Sequence, residues 1–176
     1  MNSIILIGYR CSGKTAVGRE LGRRLKILFR DTDSMVRERT GRTVAELVAA
    51  GGWSLFRSEE RKALADLEGS ESVVVATGGG IVESAENRDR LKHMGTVIWL
   101  SASPEEIEKR MRQDAKTGDQ RPALSREGRL GEIRAMLRRR NPLYCETAAY
   151  MIDTSGMAVE AVVDTILRLR EEAGRK

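Results

Sequence analysis

The sequence predicts an α/β fold: a parallel sheet with helices packed on both of its faces. Three observations support this. Five short apolar runs, at 4–7, 27–29, 73–76, 97–100 and 150–152, alternate with segments of helical spacing. The runs are nearly continuous in apolar residues, as expected for strands buried on both sides. The first run also leads straight into Gly8-Tyr9-Arg10-Cys11-Ser12-Gly13-Lys14-Thr15, the G-x-x-x-x-G-K-[ST] pattern of a phosphate-binding loop, which needs a strand before it and a helix after it.

The helix after the loop is marked by Val17, Leu21 and Leu25 at helical spacing. Its N-terminus presents unpaired N–H groups and the positive end of the dipole to an anion. In this pattern Lys14 reaches the terminal phosphates and the Thr15 hydroxyl ligates magnesium (Mg2+).

After the second run comes Asp31-Thr32-Asp33. Carboxylates two apart at a strand end project to the same side, so one can hold the metal's water shell and the other a substrate hydroxyl. Alternatively, Asp33 only caps a helix beginning at Ser34. Downstream, Thr43-Val44-Ala45-Glu46 is a capping box, and Gly51-Gly52 follows the last apolar positions of its helix. The third run enters Gly78-Gly79-Gly80, whose backbone N–H groups a ligand can approach closely; a tight turn is the competing explanation.

Gly69 and Gly95 mark helix ends, and Ser103-Pro104-Glu105-Glu106 reads as a second capping box with proline at the first helical position. The polar stretch 112–124 is a lid or a plain surface loop. Val159, Val162, Val163 and Ile166 share one face of a closing amphipathic helix.

Ligands of parallel sheets sit at the carboxyl ends of the strands, which is where these motifs fall. Arginines in Phe56-Arg57-Ser58-Glu59-Glu60, Arg121-Pro122 and Arg140-Asn141-Pro142-Leu143-Tyr144 add planar forks suited to carboxylate or phosphate. Each alone reads as a surface charge. Together with the loop they describe phosphoryl transfer to a small anionic acceptor.

Composition narrows the class. At 176 residues the chain can bury the core of one domain, 1–176, without disulfides or structural metal, and no apolar run is long enough to span a bilayer. Two cysteines, one in the loop, form no disulfide framework, and Met1-Asn2-Ser3 lacks the basic flank of a signal peptide, so a cytoplasmic protein is expected. The net charge of +5 suits a site that gathers polyanions, while 4% aromatic residues supply few stacking platforms for nucleic acid. No nucleic-acid partner and no membrane are expected, and a monomer is the default.

The motif set resembles the shikimate kinases. It comprises 8–15, Asp31-Thr32-Asp33, Gly41 ahead of the Thr43 box, Phe56-Arg57 with Glu60, Gly78-Gly79-Gly80, Arg121-Pro122 and Arg140 through Tyr144, in family order over residues 4–155. The resemblance implies a three-layer P-loop kinase fold with a five-stranded parallel sheet, a substrate-binding region at about 33–61 and a lid at about 112–124. It implies transfer of the ATP γ-phosphoryl group to the 3-hydroxyl of shikimate on the route to chorismate and the aromatic amino acids. It also implies ATP contacts from Gly8, Cys11, Ser12, Gly13, Lys14, Thr15 and Ala16, with Arg110 near adenine and Arg121 as the lid arginine. Asp33, Arg57, Arg140 and the Gly78, Gly79 and Gly80 backbone would bind shikimate, and Thr15 and Asp31 would be the magnesium-associated pair. Lys14, Asp33 and Arg121 would carry the chemistry.

Three departures stand out: Cys11 replaces a usual glycine, Trp53 a common glutamate, and the lid is a few residues longer. A gluconate-type kinase of the same fold, or a non-catalytic ATP-binding module, are the alternative readings.

Overall fold

The computed structural model describes residues 3–69, 72–113 and 128–174. Five strands, β1 (Ser3–Ile7), β2 (Leu28–Asp31), β3 (Val73–Ala76), β4 (Gly95–Ser101) and β5 (Tyr150–Asp153), form one sheet in the order β2-β3-β1-β4-β5. All four pairings are parallel, with Ile5 opposite Val75 on one side and Val97 on the other.

Side chains alternate across this sheet, and both faces are covered. Ile5, Ile7, Val73, Val75, Val97 and Trp99 point to one face, where Leu64, Leu91 and Tyr144 meet them. Those three come from α3 (Val44–Ala65), α4 (Ala85–Met94) and α6 (Gly128–Thr147). Ile4, Leu6, Val74, Ile98, Leu100 and Ile152 point the other way, onto Val17 and Leu21 of α1 (Lys14–Leu25) and Val162, Val163 and Ile166 of α7 (Val159–Ala173). Burial on two faces is why the strands read as unbroken apolar runs; each such side chain removed from water contributes roughly 1.5–3 kcal/mol.

The second strand starts and ends later than its apolar run. Lys26 takes a left-handed conformation (φ 55°) and Ile27 N–H donates to the Gly22 carbonyl at 3.1 Å, so residue 27 still closes α1. The strand is an edge strand with alternating burial, and it continues through Arg30 to Asp31, which pairs with Ala76. Asp31 therefore caps α2 (Thr32–Thr40), accepting from Asp33 N–H at 3.1 Å and Ser34 N–H at 3.2 Å. The alternative in which Asp33 caps a helix starting at Ser34 is therefore excluded, and the reading of two carboxylates projecting together from the strand end is corrected. Asp33 lies inside the first turn, not on the strand, so the two carboxylates are not strand neighbours.

The Thr43 capping box is complete, with Glu46 N–H donating to Thr43 Oγ1 at 3.2 Å and Thr43 N–H donating to Glu46 Oε2 at 2.7 Å. The helical span it starts is broken at Gly51 and Gly52, the latter at φ 68° and ψ −175°, and resumes at once. Val36, Leu47, Phe56 and Ala63 form a small separate core that ties α2 to α3. At α5 (Pro104–Gln113), by contrast, only half of the second box forms. Glu106 N–H donates to Ser103 Oγ at 3.1 Å, but Ser103 N–H donates to Ser155 Oγ and the Glu106 carboxylate turns to Arg110. Among the described residues no helix is long and apolar enough to cross a membrane.

Candidate active site

A cleft of about 1190 Å³ opens at the carboxyl ends of the strands, with the phosphate-loop residues Lys14, Thr15 and Ala16 at one end and Asp33, Arg57 and Arg140 at the other. At the loop end, Gly13 (φ 97°) starts α1 without a capping side chain, leaving the first amides of the helix for an anion. Lys14 is buried and donates to the Tyr9 carbonyl at 2.7 Å and to Ser12 Oγ at 3.4 Å. Burial pushes its ammonium down to about 8, against the opposing pull of Asp33 and Asp31.

Cys11 adopts φ 59°, in the left-handed region that an L-residue enters at a cost of roughly 1–2 kcal/mol. Its carbonyl accepts from Arg110 Nη1 at 3.3 Å. The same guanidinium donates to Thr154 O at 2.6 Å and Thr154 Oγ1 at 3.1 Å, and pairs with Glu106 at 2.9 Å. Arg110 thus braces the loop against the end of β5.

Thr15 Oγ1 donates to Asp31 Oδ2 at 2.9 Å. A hydroxyl and a carboxylate side by side next to a phosphate site are the hard oxygen donors magnesium takes, with water and phosphate oxygens completing its shell. No group of three or more His, Cys, Asp or Glu side chains that could hold a metal occurs among the described residues.

The glycine run forms the wall of the other half. A Cβ at Gly78 would stand 2.7 Å from Asp33 Oδ1 and collide with Glu60 Oε1. At Gly80 it would collide with Arg57 Nη2 and stand 3.0 Å from Arg140 Nη2. Two carboxylates crowd against Gly78 and two guanidiniums against Gly80, while a Cβ at Gly79 would stand 3.3 Å from the phosphate-loop backbone at Gly8 O and Arg10 N, so each of the three positions favours glycine for its own reason. Tyr144 Oη donates to the Gly79 carbonyl at 2.5 Å, and burial raises its phenol well above the usual range. Gly78 N–H donates to Thr32 Oγ1 at 2.8 Å, which removes one of the amides expected to face a ligand.

Arg57 is set by Glu60, a fully buried carboxylate at 2.5 Å one helical turn on, and by Trp53, whose ring lies 5.7 Å from the guanidinium carbon. Arg140, itself buried, pairs with Glu83 at 3.0 Å. The expected residues of both halves therefore line one cleft or support its wall, apart from Arg110, which braces the loop, and Arg121, which lies with most of the 112–124 stretch outside the described residues. Arg139, from the basic stretch Arg138-Arg139-Arg140, also lines the cleft, as do Arg10, Arg37 and Glu83, which the sequence does not single out. Arg37 had a legible signal, one turn after Asp33 on α2; Glu83 had none, because its place depends on a short 3₁₀ turn, Ile81–Glu83, meeting α6.

Comparison with known proteins agrees with this fold. The family profile described as shikimate kinase matches residues 10–170. A shikimate kinase of Syntrophus aciditrophicus is 42% identical over 174 residues, covering 94% of this chain and 89% of its own. That of Pelotomaculum thermopropionicum is 41% identical over 172 residues, covering 98% and 97%. Among solved structures, the shikimate kinase of Acinetobacter baumannii in complex with shikimate superposes with a TM-score of 0.92 at 34% identity, over 100% of this chain and 96% of that one. The shikimate kinase of Aquifex aeolicus gives 0.81 at 32% identity, over 98% of both chains.

Proposed function

The chain belongs to the shikimate kinase family, and we propose from that premise that its cleft transfers the γ-phosphoryl group of ATP to the 3-hydroxyl of shikimate. The observation that carries the assignment of residues is the bipartite cleft. An anion-binding loop with a buried lysine faces a wall where one aspartate and two converging arginines meet a side-chain-free backbone.

Arg57 and Arg140 bind the shikimate carboxylate as paired forks, while Asp33 accepts a hydrogen bond from the acceptor hydroxyl and takes its proton as the new O–P bond forms and the bond to the ADP oxygen breaks. Positioning dominates such a reaction, and a loose transition state asks little basicity of the group that accepts the proton. Lys14 holds the terminal phosphates and regains a full charge beside them. Arg121 is assigned to the same oxygens as a further positive charge. Thr15 and Asp31 would hold magnesium, which would supply neutralisation of phosphate charge. The fold acts as one domain over 1–176, as a monomer in the cytoplasm, in the supply of chorismate.

A coupled assay of ADP release tests the proposal. Release should depend on shikimate and not on gluconate or nucleoside monophosphates. Asp33→Asn should lower kcat on the order of 10²-fold, and Arg140→Ala should chiefly raise KM for shikimate. ADP release that ignores shikimate would falsify the activity; unchanged kinetics in both variants would remove the residue assignment.

A further inference from the structure

The two arginines assigned to the acceptor are not equally held. Arg57 has a fixed partner in Glu60, which is completely buried at 2.5 Å, leaving its other terminal nitrogen directed at Gly80 and toward Glu83. Glu83 is different. It lines the cleft, its side chain is 23% exposed, and it stands three residues beyond Gly80, with its N–H donating to the Gly80 carbonyl at 3.1 Å. Its Oε1 lies 3.0 Å from Arg140 Nε, and its Oε2 lies 3.8 Å from Arg57 Nη2, an ion pair too long to be a hydrogen bond.

One carboxylate is thus spread across the two guanidiniums, as a substrate carboxylate would be. We propose that Glu83 is an internal occupant of the Arg57–Arg140 fork, displaced when the acceptor's carboxylate binds, and that it thereby sets the affinity for shikimate. The inference rests on the assignment of these arginines to the acceptor.

The displaced side chain has somewhere to go. Arg139 Nη2 already lies 2.7 Å from Glu83 Oε1, and its side chain is 64% exposed against 9% for Arg140, so the rim arginine can keep the carboxylate while the buried one is released to the ligand. A fork occupied by its own protein lowers apparent affinity in proportion to the fraction of molecules in which it is free. Removing the occupant removes that factor. If Glu83 instead oriented the arginines, as Glu60 does for Arg57, its removal would weaken binding, so the two roles predict opposite signs.

Isothermal titration of the full chain with shikimate, and with shikimate methyl ester as a probe lacking the carboxylate charge, separates them. Glu83→Gln and Glu83→Ala should each tighten shikimate by about three- to tenfold while changing the ester by less than about twofold. Glu132→Gln, which removes a carboxylate elsewhere along the same cleft, should leave shikimate within about twofold and so measures the general electrostatic effect. Unchanged or weakened shikimate binding in the Glu83 variants, an equal gain for the ester, or an equal gain in Glu132→Gln overturns the inference alone. Absence of shikimate binding to the unaltered protein overturns the acceptor assignment along with it.

Discussion

Replacing Lys14 with methionine should stabilise the nucleotide-free protein at neutral pH, and the gain should shrink as pH rises. Burial lowers the Lys14 ammonium from 10.5 to about 8. The protonated side chain therefore costs the fold roughly 3 kcal/mol, at 1.36 kcal/mol per unit. Below pH 8 both folded and unfolded chains hold the proton and the cost is complete. Between pH 8 and 10.5 only the unfolded chain does, so it binds more protons and stability rises with pH; above both values the cost is gone. Lys14→Met should therefore be more stable at pH 7 by up to about 3 kcal/mol, less roughly 1 kcal/mol for the hydrogen bond to the Tyr9 carbonyl. That advantage should fall by about 2 kcal/mol at pH 9.5. Urea unfolding of both proteins at the two pH values measures the difference, and comparison of the pair cancels groups that titrate alike in both. Bound phosphates should restore the charge, so nucleotide binding at pH 8 should take up about half a proton in the unaltered protein and none in the variant, read by calorimetry in buffers of different ionisation enthalpy. A stability gap independent of pH would refute the reasoning.

Cys11→Gly should raise Tm by about 2–4 °C, because relief of roughly 1–2 kcal/mol of left-handed strain at φ 59° exceeds the roughly 0.5–1 kcal/mol that glycine adds to the unfolded chain's entropy; a lower Tm would mean that its packing near Tyr9 and Met111 outweighs the strain. Gly78→Ala places a methyl against Asp33 and Glu60 and should lower turnover on shikimate by about 10²-fold while ADP affinity, measured by titration, stays within about twofold; equal losses of both would point to misfolding of the wall instead.

Much of the architecture is legible because burial on both faces of the sheet imposes continuous apolar strands, as at 73–76, and because glycine and the Thr43 box mark helix ends chemically. The second strand was harder to bound. It is an edge strand with Leu28 54% exposed, so burial does not mark its ends, and either aspartate of Asp31-Thr32-Asp33 satisfies a capping pattern. Only the register with β3, which carries the strand to Asp31, decides between them. Glu106 fits the second box equally well on paper, but Arg110 one turn on in the same helix takes its carboxylate, and Ser155, distant in sequence, takes the Ser103 amide. In the site, the loop and the glycine run are read from chain-local chemistry. The placement of Glu83 across two arginines depends on three separate elements meeting, and no local pattern encodes that.

Asp31 spends its two oxygens on different tasks: Oδ2 accepts from Thr15 beside the phosphate loop, and Oδ1 holds the first amides of the helix that carries Asp33. The donor and acceptor halves are consequently joined by one short, inextensible side chain. For engineering, this makes Asp31 a poor place to divide the cleft. Acceptor preference is better rewritten at Trp53 and Arg57 on α3 or at Arg140 on α6, whereas even the single extra methylene of Asp31→Glu should shift the proposed nucleotide seat and the aim of Asp33 together.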